Sequence, residues 1–94
     1  MRIMGGIQVE HQPSEATLRS LGVAQWPIWE KEISDFPWVY DEAETCYILA
    51  GQVTVTPDGS EPVTVGAGDL VTFPAGMACR WAISQPIRKH YRFG

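Results

Sequence analysis

Three side chains that could do chemistry stand in two strand-like stretches of the sequence. Glu44 and Cys46 lie in "ETCYILAGQVTVTPDG", and Cys79 lies in "GDLVTFPAGMACRW", shortly after a Pro-Ala-Gly break. If the first stretch alternates as a strand, Glu44 and Cys46 point to the same face. A carboxylate on a buried face needs a partner. Glu44 could stabilise the fold through a hydrogen bond to Tyr40 or a backbone N–H, or act as a general acid or base, and the two roles are compatible.

Cys79 is open to four interpretations: a nucleophile, half of a disulfide, a metal ligand, or a small buried apolar residue. A nucleophilic thiol needs a nearby base or cation, but strand alternation sends Arg80 to the opposite face. A disulfide with Cys46 is disfavoured in a reducing compartment. Two thiolates and Glu44 could in principle bind zinc, although catalytic zinc sites typically include histidine. The sequence favours the small buried residue and keeps Cys79, with Glu44, as a catalytic candidate.

The elements that would position these residues are mainly strands. From Trp26 onward, short apolar runs alternate with Gly and Pro breaks, a pattern typical of an all-β sandwich or barrel. Pro57-Asp58-Gly59 predicts a turn, and Gln85-Pro86 predicts a break between the last two strands. One short helical turn is predicted near the N-terminus, with Ser14 as its N-cap and Gly22 at its end.

Composition limits the function classes further. The 94 residues predict one domain, and the 45% hydrophobic content argues against disorder. A formal net charge of -4 gives no general attraction for nucleic acid or an anionic membrane. The first residues contain no apolar run long enough for a signal peptide or membrane helix, so we expect a cytoplasmic protein with free thiols.

The spacing of the turns resembles that of the cupin superfamily. Six residues separate Glu44 from Gly51, five residues separate Gly68 from Pro74, and one residue separates Pro74 from Gly76. These spacings match the two cupin motifs, at about 36–51 and 68–84. The stretch "WPIWEKEISDFPWVYDEAETCYILAGQVTV" is similar to the subfamily that includes the ureidoglycine aminohydrolase cupin domain. The resemblance implies a single small jelly-roll barrel over residues 1–94, often dimeric, with a central pocket.

The resemblance also implies a metal site, but the sequence departs from it. Metal-binding cupins present a His-x-His pair before the glutamate and a third histidine after Pro-x-Gly. Here those positions fall on Trp38, Tyr40 and Cys79, with only Glu44 retained. The chain's two histidines lie outside both motifs. We therefore expect no metal ligands and no cofactor.

The residues at these positions predict a binding cavity. Trp38, Tyr40, Cys46 and Trp81 are its expected ligand-binding residues, around a pocket that is apolar with a few polar groups. The favoured function is a metal-independent barrel that binds a small molecule. The alternative is an aminohydrolase- or isomerase-like enzyme acting on a small nitrogen-containing or carbonyl substrate, and an interior filled by side chains would instead indicate a structural role. Exposed sheet edges and spare aromatic residues lead us to expect a homodimer.

Overall fold

The computed structural model describes residues 1–94, which fold into an antiparallel β structure with one short α-helix. This architecture confirms the predicted all-β jelly roll with one short helical turn near the N-terminus. The elements are β1 (Arg2–Met4), β2 (Ile7–His11), α1 (Glu15–Leu21), a 3-10 turn (Val23–Gln25), β3 (Ile28–Lys31), β4 (Ser34–Val39), β5 (Glu44–Pro57), β6 (Val63–Gly66), β7 (Asp69–Phe73) and β8 (Ala78–Phe93).

Two long bent strands, β5 and β8, organise the whole fold. They pair with each other along most of their lengths, and register shifts interrupt the pairing between Ile48 and Val53. Before the shifts, β5 also pairs with β7, and the facing half of β8 pairs with β3. After them, β5 pairs with β6, and the facing half of β8 pairs with β4. The bend therefore lets the same two strands belong to both walls of the barrel.

The predicted break at Gln85-Pro86 is wrong. β8 runs through both residues without ending, and the chain bends there instead of turning. Opposite them lies Gly51, with φ of 96°, where an added Cβ would stand 2.1 Å from the Pro86 carbonyl oxygen. Only a glycine can occupy this position, because both its backbone conformation and the close approach of β8 exclude a side chain.

The predicted helical turn is confirmed with its caps. The Ser14 hydroxyl accepts a hydrogen bond from the Thr17 N–H, and Gly22 ends the helix in the left-handed conformation. The β1–β2 hairpin was not predicted, although the alternation of buried Ile7 and Val9 after a two-glycine turn is a signal for it.

Alternation along the strands builds the core. In β7, and in each half of β5 on either side of the register shifts, every second residue is buried, so one face of each strand lies inward. Valine and isoleucine fill most of the core, while the aromatic residues gather where β3, β4 and β8 meet. No helix has the length and apolarity that a membrane span requires.

Candidate functional site

A cavity of about 440 Å³ opens at the aromatic end of the barrel. Its lining comes from β3, β4, the loop before β5, and the ends of β5 and β8, so the bend in the long strands brings its walls together. The lining residues are Trp29, Lys31, Ser34, Phe36, Trp38, Tyr40, Glu44, Trp81, Lys89, Tyr91 and Phe93.

A buried ion pair is the main polar feature of this cavity. The Lys89 Nζ donates a 2.5 Å hydrogen bond to Glu44 Oε2, and the two side chains are only 6% and 5% exposed. Burying two charges is costly unless they pair closely and find further partners. Every fully buried polar side-chain atom of the protein has a hydrogen-bond partner, whereas Glu44 Oε1 makes no hydrogen bond and so cannot be fully buried. Oε1 is therefore open to the cavity.

Two tryptophan rings complete the environment of Lys89. Its Nζ lies 5.0 Å from the ring centroid of Trp29 and 4.7 Å from that of Trp81. The two rings meet edge to face, with centroids 6.0 Å apart. Their faces attract the ammonium electrostatically, an interaction that strengthens when water is excluded. The ammonium is thus held by one carboxylate and two aromatic rings.

Tyr40 supplies a further polar atom. Trp81 Nε1 donates a 3.1 Å hydrogen bond to the Tyr40 hydroxyl, while the Tyr40 ring stacks on Phe73 at 4.8 Å. Burial, and secondarily the charge of Glu44, raises the pKa of Tyr40 far above its usual value, so the phenol keeps its proton. That proton has no acceptor within the protein, and the hydroxyl is free to donate to a bound molecule.

Comparison with known proteins identifies the family of this fold. A match to the EutQ-like cupin domain spans residues 18–91. The chain belongs to the EutQ-like cupin family. A solved DUF861 family protein from Thermotoga maritima is 49% identical to this cupin, with a TM-score of 0.91 over 94% of this chain and 99% of that one.

More distant structures share the fold alone. The EutQ protein of Clostridium difficile is 23% identical, with a TM-score of 0.64, and the match covers 70% of this cupin and 52% of that chain. The comparison with curated proteins returned no relative. The family match over residues 18–91 confirms membership of the cupin superfamily, which was expected from the motif spacing.

The side chains of this cupin do not fit the metal site that the resemblance implies. Glu44 is the one retained ligand residue, and its carboxylate binds the Lys89 ammonium instead. Tryptophan at position 38 provides no ligand atom, and nowhere do three His, Cys, Asp or Glu side chains cluster as a metal site requires. A cation placed beside Glu44 would have to compete with a tethered ammonium already held there.

Four of the six residues named from the sequence line the cavity: Trp38, Tyr40, Glu44 and Trp81. Cys46 and Cys79 do not line it, although both are buried and free. Cys46 does point to the same side of β5 as Glu44, but it lies within the core. Cys79 pairs in register with Trp38 on β4 and Pro57 on β5.

The surroundings of both thiols suppress thiolate formation. Burial raises the pKa of Cys46 to about 12, an effect that Lys89 partly offsets. Burial and the charge of Asp58 raise the pKa of Cys79 to about 11. The thiolate is the reactive form, so neither residue is activated as a nucleophile near neutral pH.

Thiol labelling should therefore be very slow in the folded protein. At pH 8, we expect a disulfide reagent such as DTNB to leave both cysteines of the native protein unmodified over minutes, and to label both at once in denaturant. Labelling should accelerate as the pH rises towards 11, since the thiols then ionise. Rapid native labelling at pH 8, mapped to Cys79 by mass spectrometry, would contradict this prediction.

Sequence reasoning did not identify Lys89, Lys31 or Trp29 as cavity residues. Residue spacing alone does not give the direction of the Lys31, Lys89 or His90 side chains. Trp29 and Lys89 face each other in register, and alternation carries Lys31 to the same side of β3 as Trp29. His90 points the other way and bonds the Trp26 carbonyl oxygen. The available signal was that Lys89 shares one face of the last strand with Ile87 and Tyr91.

Proposed function

We propose that this cupin is a metal-independent barrel that binds a small organic molecule. The observation that carries the proposal is the cavity of about 440 Å³ that ends on the Glu44–Lys89 pair between tryptophan rings. This volume lies within the usual range of small-molecule sites, roughly 300–1,000 Å³. In a purely structural barrel, an open volume lined by a buried ion pair would cost stability, because the pair must be desolvated and the volume leaves apolar side chains unpacked.

The lining supports a particular kind of ligand. The aromatic walls favour a flat apolar body, which would gain from stacking and from leaving water. At the inner end, Glu44 Oε1 can accept a hydrogen bond, while the Tyr40 hydroxyl and the remaining Lys89 N–H groups can donate. A molecule with a flat body and a polar group that both donates and accepts would satisfy these atoms together.

A fragment screen followed by titration tests the proposal. We expect flat fragments carrying such a polar group to bind and to change the tryptophan fluorescence. Trp38→Ala should weaken their binding about fivefold, because Trp38 lines the cavity while being 46% exposed, so its loss perturbs the core little. Val39→Ala is the matched control, since Val39 is the exposed neighbour outside the cavity.

Two results would contradict this function. One is a blank screen in which no fragment binds or responds to Trp38→Ala. The other is a purified protein containing one equivalent of manganese, iron, nickel or zinc that Glu44→Gln removes. Either result would show that the cavity does not serve as a metal-independent binding site.

An enzyme acting on a small nitrogen-containing or carbonyl substrate, of the aminohydrolase or isomerase kind, is the second candidate. The specific observation in its favour is a carboxylate inside the cavity with one oxygen free, beside an ammonium. Glu44 could accept a proton from a bound substrate while Lys89 and Tyr40 stabilise a developing negative charge on oxygen. In the same screen, an enzyme would convert a bound fragment to product, whereas a binding module would release it unchanged.

The proposal also includes a cytoplasmic homodimer. Apolar side chains are exposed on the outermost strands at both ends of the sheet order, with Ile3 on β1 and Ile28 on β3. An unpaired edge of this kind is commonly covered by a second copy of the chain.

A further inference from the structure

We propose that the ligand of this cavity is an organic monoanion, in which the flat apolar body carries a carboxylate in addition to the polar group that faces Glu44 and Tyr40, and that Lys31 binds the carboxylate. The inference rests on the proposed binding function and narrows it to one class of ligand. It assigns the selectivity for charge to a residue outside both cupin motifs, on β3.

The charges around the cavity add up to one positive charge. Only three lining residues carry a formal charge: Lys31, Glu44 and Lys89. Glu44 and Lys89 neutralise each other through their hydrogen bond. No carboxylate of the protein lies within ion-pairing distance of Lys31. Lys31 is therefore the one cavity cation whose charge no carboxylate of the chain balances.

The position of Lys31 suits an incoming carboxylate. Its Nζ lies 5.4 Å from the ring centroid of Phe36, another lining residue, which holds the ammonium against the cavity wall. A ring face occupies no N–H group in a strong hydrogen bond, so the ammonium can still donate to an anion. Lys31 is half-buried, and solvent screens its charge less than that of a fully exposed lysine.

Electrostatics then distinguishes three kinds of ligand with the same body. A carboxylate would bring the cavity to neutrality and gain a charge-assisted hydrogen bond. A neutral amide would leave Lys31 unpaired, and an amine would place a second uncompensated cation among apolar walls. The chain as a whole has a net charge of -4, so the positive balance of the cavity is a local arrangement rather than a consequence of composition.

A matched series of compounds tests the inference: phenylacetate, phenylacetamide and phenethylamine, which share one unsubstituted aromatic body and differ only in the group offered to Lys31. Dissociation constants would be measured by tryptophan fluorescence and by ligand-observed NMR. We expect phenylacetate to bind tightest and phenethylamine weakest. Lys31→Met should weaken phenylacetate binding about fivefold, as expected for a partly exposed charge pair, and leave phenylacetamide nearly unchanged. Lys31→Arg should retain the preference for phenylacetate.

Arg88→Met is the control for a general loss of positive charge. Arg88 is exposed on β8, in register with Glu30, and does not line the cavity, so phenylacetate binding should be unaffected. Equal binding of the three compounds, tightest binding of the amide or amine, or equal effects of Lys31→Met and Arg88→Met would overturn the inference while the binding function stands. Absence of binding by all three at millimolar concentration also overturns it. The binding function itself fails only on the fragment screen or the metal analysis described above.

Discussion

Lys89→Met is expected to destabilise the folded protein by about 3–5 kcal/mol, the usual effect of removing one partner of a buried ion pair. Methionine retains the length and apolar stem of lysine, so the packing against Trp29 and Trp81 changes little. What is lost is the cation beside Glu44, whose side chain is only 5% exposed. The free energy of unfolding, measured with urea at neutral pH, would report the loss.

Two further variants separate the charge effect from the loss of a side chain. Glu44→Gln together with Lys89→Met should recover most of the stability, since the uncompensated carboxylate is then gone. Lys31→Met makes the same substitution at an unpaired, half-buried lysine of the same cavity and should change the stability by less than about 1 kcal/mol. A Lys89→Met protein as stable as the wild type, or a double variant no more stable than Lys89→Met alone, would contradict this account.

The ion pair also explains why the cavity of this cupin differs chemically from a metal site. Glu44 occupies a motif position, yet its partner is a side chain from the last strand. An ammonium provides positive charge and N–H donors but no open coordination site, so it can orient a ligand without acting as a Lewis acid. Binding and orientation are therefore the functions that this arrangement supports most directly.

The sequence predicted much of the fold but only four of the eleven cavity residues, and the reasons can be identified. Strand alternation and motif spacing are local properties, and they led to the strands from β3 onward, the capped helix and the positions of Trp38, Tyr40, Glu44 and Trp81. Strand alternation predicts to which side of the strand a side chain points, but not whether that position along the strand lies at the cavity or in the core. This is why Cys46 shares a side with Glu44 and yet lies in the core rather than at the cavity.

Lys31 and Lys89 could not be assigned to the cavity from the sequence, because their positions depend on strand pairing, which a local pattern does not contain. Gln85-Pro86 predicted a break between two strands, and a break there would leave the direction of the following residues undetermined. In the structure β8 continues through the bend, and its pairing with β3 and β5 brings Lys89 to the cavity. That pairing is non-local and includes register shifts, each of which moves side chains relative to their neighbours on the partner strand.

Gly51→Ala should be among the most damaging single substitutions in this protein. A non-glycine residue at a φ of 96° carries about 1–2 kcal/mol of backbone strain. In addition, the new Cβ would lie 2.1 Å from the Pro86 carbonyl oxygen and 2.8 Å from that of Gln85. Both are main-chain atoms, so no rotation of a side chain can relieve the contact, and β8 must move away from β5.

Gly76→Ala is the matched control, because it separates backbone strain from steric contact. Gly76 has a comparable φ of 84°, but an added Cβ there would meet nothing within 4 Å. We expect Gly76→Ala to lower the free energy of unfolding by about 1–2 kcal/mol and Gly51→Ala to lower it by several kcal/mol more, or to prevent folding. Urea unfolding, with soluble yield as a second measure for Gly51→Ala, would test this difference.

The consequences of Gly51→Ala should extend to the cavity, since the bend at this glycine sets the pairing of both halves of β5 with β8. Glu44 lies on one half of β5, and Trp81 and Lys89 lie on opposite sides of the bend in β8. If any folded Gly51→Ala protein is obtained, its fragment binding should be weaker than that of Gly76→Ala at equal folded concentration. Equal stability of the two alanine variants would show instead that β8 can shift at Pro86 without loss, and that the close approach of the strands does not determine the shape of the cavity.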